Sequence, residues 1–392
     1  MIERILNMNI RKFIFLFVTP ALDNDENKYS LKKIIDKGYQ VEIWDLTPAI
    51  VPETEKAITA KRFASKFIYS MRYDNIRQIE ENIQANCESA FFFPMFDLYF
   101  EVRKLYDMFT KYNVRYGYVN NMVCDFDAIV DNVKIRIGDR LRMQYVKALF
   151  FNRIWKKFLC YKPAEFIGFG TIGNENTFMN RDVCSDKTEK LYLHTFDYER
   201  FMDVMPYEHE HEYCVFLDQY IPFHPDNIVD AGLKIDAQKY YNELNAILDS
   251  IRRVLKMDII VAAHPRADYS DKMGYVNGYR VEYGKTPELI KGASLVVAHS
   301  STAIGMVPMA KVPLAIIDID SVSKVKEFDV ICKLYAEKLG VSLIHTPQDI
   351  KKNVLDYDLQ KYNKFEREYM TCNMNENESL WSKVVECLES KP

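Results

Sequence analysis

Two short constellations in this 392-residue chain carry the residue types of phosphate chemistry: His264-Pro265-Arg266 and His299-Ser300-Ser301-Thr302. An imidazole can give a hydrogen bond or a proton to an anionic oxygen. A guanidinium offers a planar donor fork that suits phosphate or carboxylate. Hydroxyls and free amides where a strand turns into a helix form an anion site. Between the two constellations, Thr286 reads as a helix cap with Pro287 at the first helical position, and Lys285 stands just ahead of it. Pro265, Arg266, Lys285, Thr286, His299, Ser300, Ser301 and Thr302 are therefore candidates to surround a phosphate or other anion at one sheet edge, together with His264.

The elements that must position these residues are short apolar runs at 259–263, 294–298 and 313–317, each ending in polar or small residues and separated by helical patterns. That alternation predicts a parallel α/β sheet, whose ligands gather at the carboxyl ends of its strands. Upstream, strands are expected at 12–18, 40–46, 66–69, 89–93, 114–119, 190–194 and 213–217, and 165–173 reads as a strand followed by a glycine-bearing loop. Helices are expected at 30–37, 74–86, 98–112 and 237–256. The first strand-to-helix turn, Val18-Thr19-Pro20-Ala21, lacks the glycines of a dinucleotide fingerprint. The chain divides into a first unit at 1–205, a second at 206–355, and a helical tail at 356–392.

Composition narrows the function classes. Hydrophobic residues make up 48% and charged residues 28%, a globular balance, and the net charge of −4 argues against a nucleic-acid binder. The eight cysteines stand singly without zinc spacing, as reduced thiols of a cytoplasmic protein do. The apolar start at 13–18 is only a strand long, too short to span a bilayer. The segment 134–157, bounded by Lys134 and Lys157, holds eight basic residues against Asp139 with large apolar residues among them. It reads first as an ordinary helix with one solvated face, and as the alternative a basic amphipathic surface for peripheral contact with the inner face of the membrane. The run Glu208-His209-Glu210-His211-Glu212 alternates its side chains and suits a charged surface better than a closed ligand set, so no metal is expected. Asp318-Ile319-Asp320 has metal-motif spacing but follows the wrong strand.

A His-Pro motif followed 36 positions later by a Ser-Ser/Thr motif, here His264 and Ser300, resembles the bacterial sialyltransferases and related sugar transferases of the GT-B fold. The resemblance covers about residues 210–320. It implies two Rossmann-like doubly wound domains facing a cleft, the acceptor side at 1–205 and the nucleotide-sugar side at 206–355, with the C-terminal helix of the tail at 356–392 returning to the first. It also implies inverting, metal-independent transfer of a sialic-acid-like keto-sugar acid from a CMP-activated donor to a surface glycan or lipid-linked acceptor, with no other cofactor. By the same resemblance His264 assists the departing phosphate, and Ser300, Ser301 and Thr302 bind it. The family's acidic-acidic-Gly motif has no clear copy here. Asp218, Asp97 and Asp45 are left as candidates for the proton acceptor, Asp97 being favoured if the carboxylate must face the sugar from the opposite domain. The alternatives are a UDP-sugar transferase, a UDP-N-acetylglucosamine 2-epimerase, a CDP-glycerol glycerophosphotransferase, and a non-enzymatic nucleotide- or carbohydrate-binding module. The epimerase would carry a Gly-Gly and paired Glu where this chain has Ala303-Ile304-Gly305-Met306.

Overall fold

The computed structural model describes residues 10–23, 25–57, 62–120, 160–169, 183–224, 227, 234–371 and 378–390. Strand β1 (Lys12–Phe17) is buried almost throughout, as a central strand covered on both faces must be. It is flanked in parallel by β2 (Gln40–Asp45) and β4 (Ala90–Pro94), and β3 (Tyr69–Arg72) lies outside β2. A second parallel set, β5 (Tyr118–Asn120), β6 (Phe166–Phe169) and β7 (Glu189–Tyr192), continues this sheet beyond β4. The join is a bridge from Phe92 to Tyr116, in which Phe92 N–H donates to the Arg115 carbonyl and Gly117 N–H to the Phe92 carbonyl.

The second half is one six-stranded parallel sheet in the order β10-β9-β8-β11-β12-β13. Its strands are β8 (Tyr213–Leu217), β9 (Asp258–Ala263), β10 (Arg280–Tyr283), β11 (Leu295–Ala298), β12 (Leu314–Ile317) and β13 (Ser342–Ile344). The helix Ala237–Leu255 connects β8 to β9; Asp236 caps it by accepting from Lys239 N–H, and Lys256 ends it at a left-handed φ of 61°. In both halves the strand order reverses, between β1 and β4 and between β8 and β11, which opens a crevice at the carboxyl ends of those strands.

The doubly wound α/β architecture is therefore as expected, with local differences. β10 has no apolar run because it is a half-exposed edge strand, and the sequence pattern does not reveal it. β3 begins later than the pattern at 66–69 suggests. The helix expected at 30–37 shrinks to Lys32–Ile35, and a separate turn of helix, Asp25–Lys28, precedes it, the two being divided where Ser30 adopts a φ of 50°. The basic segment 134–157 and the glycine loop beyond Phe169 lie outside the described residues.

The tail expected to return from 356 divides. Helix Leu359–Tyr369 buries Tyr362 and Phe365 in the core of the second sheet, and the Tyr362 hydroxyl donates to the Val312 carbonyl at 3.1 Å. Only helix Leu380–Glu389 reaches the first sheet. Its Trp381, with no exposed surface, stands edge-on to Phe15 and Phe93, and its indole N–H donates to the Tyr29 carbonyl at 2.8 Å. Helix Phe196–Asp203 belongs to both cores, through Phe196 on one side and Tyr198 and Phe201 on the other. From it the buried carboxylate of Glu199 accepts from Leu380 N–H, Ser379 Oγ and Lys33 Nζ, tying the returning helix to the first domain. Trp381→Ala should cost about 3–5 kcal/mol of unfolding free energy, because it leaves a large cavity and an unpaired Tyr29 carbonyl. Urea denaturation of the variant and the parent chain measures this.

Candidate functional site

The carboxyl ends of β1 and β9 face each other across a cleft of about 200 Å³. The first domain contributes Thr19, Pro20 and Leu22 from the turn after β1, and Asp25, Lys28 and Tyr29 from the helical turn that follows. The second contributes His224, His264, Pro265 and Arg266. Of the residues singled out from the sequence, His264, Pro265 and Arg266 are brought together here, because they follow β9 directly and a strand end at the sheet edge has nowhere else to point.

His264 has a defined tautomer. Its Nδ1 accepts from the backbone N–H of Arg266 at 3.2 Å, so in the neutral ring the proton sits on Nε2. Burial depresses its pKa to about 3, helped by His224, Arg266 and Lys28 nearby. The ring of His224 meets it at a steep angle, with centroids 4.7 Å apart. His264 is thus a neutral imidazole with an Nε2–H to donate and no lone pair free to take a proton.

Asp25 is the carboxylate of the opposing wall. It is 7% exposed, Oδ2 accepts from Leu22 N–H at 2.7 Å, and burial raises its pKa against the opposing pull of Lys28 and Arg266. Sequence reasoning missed it, since an acid at a helix start reads as a favourable end charge and nothing more. Lys28, half-buried, has its ammonium 4.9 Å from the centroid of Tyr29. The Tyr29 side chain, then Asp25 and Asp197, raise its pKa against the cost of burial, so it stays charged.

Asp218, a candidate proton acceptor, lies beneath this site. It is 4% exposed and does not line the cleft. Its carboxylate accepts from Tyr220 N–H at 2.8 Å, from the Tyr269 hydroxyl at 2.9 Å, and from the backbone of His264 and Gln219. Burial lifts its pKa to about 6 in spite of these bonds. With its lone pairs occupied it acts as a support that binds the end of β8 to the His264 turn. Asp97 is exposed after β4 and does not line the cleft either.

The second constellation is placed differently from the sequence expectation. His299 has no exposed surface: Nδ1–H donates to the Ile317 carbonyl at 2.6 Å and Nε2 accepts from the Tyr240 hydroxyl at 3.0 Å. Burial depresses its pKa to about 4, and it is a neutral tie between β11 and β12. Ser300 N–H donates to Gln219 Oε1 at 2.8 Å, and Gln219 Nε2 donates to Ser300 Oγ at 3.2 Å, a clamp across the β8–β11 reversal that the sequence gives no sign of. Ser301 Oγ accepts from Ala303 N–H at 3.3 Å, and Thr302 is exposed. The segment beyond is a single turn, Thr302–Gly305, followed by the five-residue helix Met306–Ala310, so no long helix dipole is aimed at this edge. None of Ser300, Ser301 and Thr302 lines the His264 cleft. Lys285 is exposed and pairs with Glu282 at 3.1 Å; it precedes the helix Thr286–Gly292, whose Thr286 is the first helical residue rather than the cap. Among the described residues no group of three or more His, Cys, Asp or Glu is arranged to hold a metal ion.

No protein-family model matches the chain, and no curated protein matches it. Among solved structures, the wall teichoic acid polymerase TagF superposes with a TM-score of 0.57 at 12% identity, over 98% of this chain and 91% of that one. A TagF structure soaked with CDPG gives 0.57 at 12% identity, over 99% and 93%. CalG4, the calicheamicin glycosyltransferase, gives 0.49 at 8% identity, over 92% and 94%. At such identities the likeness is one of fold. Two doubly wound domains with a polar cleft between their strand ends, and a last helix returning to the first, are the GT-B architecture.

The folded values for His264 and His299 lie below the ordinary histidine value of about 6.5. The folded chain then binds fewer protons than the unfolded chain, and these two residues lower stability as pH falls from about 6.5 toward 4. Nitrogen NMR of the labelled protein should show His264 as the Nε2–H tautomer with no titration between about pH 5 and 8.

Proposed function

We propose that the protein is an inverting transferase that moves a sialic-acid-like keto sugar from a CMP-activated donor to a hydroxyl of a surface glycan or lipid-linked acceptor. The observation that carries this reading is His264, a neutral Nε2–H donor beside Arg266 and Lys28 on the walls of an interdomain cleft. A fixed donor aimed at the bond to be broken stabilises charge on a departing phosphate. As the acceptor oxygen bonds to the anomeric carbon, the bond from that carbon to the phosphate oxygen breaks. The acceptor proton passes to Asp25, and CMP leaves with its new negative charge met by His264 Nε2–H and Arg266. Burial gives Asp25 a raised pKa, which strengthens it as a base. Asp218 is the positioning residue under the His264 turn. Peripheral contact through the segment 134–157 at the cytoplasmic face of the membrane belongs to this proposal by its charge pattern alone. Among the described residues no helix is long and apolar enough to cross a membrane.

The full-length fold likeness to TagF favours a second reading, transfer of glycerol phosphate from CDP-glycerol. Both readings release CMP, and phosphorus in the product separates them. A melting-temperature panel of CMP, CDP, UMP, UDP and GDP tests the cytidine preference, since a ligand that binds the folded chain raises its melting point. A preference for UDP sinks both readings. Asp25→Asn should lower kcat by about 10²–10⁴-fold with CMP affinity unchanged, as removal of a general base does. Full turnover in Asp25→Asn or in His264→Ala, measured by CMP release, would remove the assignment of that residue.

A further inference from the structure

The cleft carries two cationic side chains on opposite walls, Arg266 of the second domain and Lys28 of the first. Lys28 is half-buried, and among the described residues no ion pair within 4.0 Å holds its ammonium. Its nearby acid, Asp25, turns one carboxylate oxygen to Leu22 N–H. The Tyr29 side chain, Asp25 and Asp197 keep this ammonium charged without a carboxylate in contact with it, so on the cleft wall it can meet an oxyanion of a ligand. Arg266 and His264 together suit one phosphate, which leaves Lys28 facing the same small volume from the other side.

We propose that Lys28 forms an anion subsite in the first domain that reads a second negative group on the donor, one linkage removed from the phosphate at His264 and Arg266. This rests on the reading of the cleft as a nucleotide-donor site, and it deepens it: the donor carries two anionic groups, and a donor with one is discriminated against. The shared chemistry is an oxyanion, supplied either by the carboxylate of a CMP-linked keto-sugar acid or by the second phosphate of a cytidine diphosphate. Because the two cations sit on different domains, a dianionic ligand also draws the two walls together.

The test is isothermal titration of the full chain at one pH with three ligands: CMP, CDP, and a CMP-linked keto-sugar acid fluorinated beside the anomeric carbon so that it does not turn over. Lys28→Met keeps the length and removes the charge; Lys28→Arg keeps the charge. Lys28→Met is expected to bind CMP within about twofold of the parent while losing about tenfold or more for one two-anion ligand, with most of the loss restored in Lys28→Arg. Loss confined to CDP assigns the subsite to a second phosphate, and loss confined to the sugar-acid analogue assigns it to a carboxylate. Equal loss for all three ligands, or no loss for either two-anion ligand, overturns the proposal. A parent chain that binds none of the three overturns the donor-site reading itself, and the subsite with it.

Discussion

An ionisable carboxylate inside an apolar core is tolerated only where donors replace its water, and at Asp218 the donors come from the very segments that build the site. The Tyr220 amide, the Tyr269 hydroxyl and the backbone of His264 all converge on it. The end of β8, the turn after β9 and the loop carrying Tyr269 are thereby bound to one point beneath the cleft. Tyr269 is held in turn by Tyr241 of the long helix, through a hydroxyl contact of 2.9 Å. The orientation of the imidazole above is a consequence of this network. The Arg266 amide reaches back to Nδ1 only because the turn is held in this shape.

The cleft exists because the two sheets present carboxyl ends to each other, and a few contacts keep them there. Helix Phe196–Asp203 is shared between the cores, and the Glu199 carboxylate draws in Lys33 and the start of the last helix. Trp381 then closes an aromatic layer with Phe15, Phe93 and Phe196. Many phenylalanine and tyrosine side chains pack in this core and in the core of the second sheet, between layers of a thick α/β sandwich. The cleft itself is a mixed electrostatic environment. Two cations, a neutral imidazole donor and a buried carboxylate share it.

Legibility differed by residue for physical reasons. β8, β9 and β11 could be read because central parallel strands are continuous apolar runs, whereas β10, a half-exposed edge, has no such run. His264 and His299 look alike in the sequence, each following a strand. Yet β9 lies beside the outer strand and its following turn reaches the domain interface, while His299 follows a strand between β8 and β12, where both ring nitrogens are consumed by the interior. Lys285 was legible as a cation and not as the partner of Glu282. Asp25 was illegible altogether: its type and position suit an ordinary helix start, and only the apposition of the other domain places it in one cleft with His264.

The sequence by itself determined the doubly wound architecture, the positions of most strands and the identity of the His264-Pro265-Arg266 turn, because burial period and strand ends are local properties of the chain. The tertiary structure alone decided which polar residues meet. It buried Asp218 and His299 as supports, engaged the Ser300 amide with Gln219, and set Asp25 and Lys28 opposite His264 across a cleft. The apposition across the cleft joins residues more than two hundred positions apart, the other contacts join separate strands and loops, and no local pattern encodes which of two similar side chains will face solvent and which will face the core.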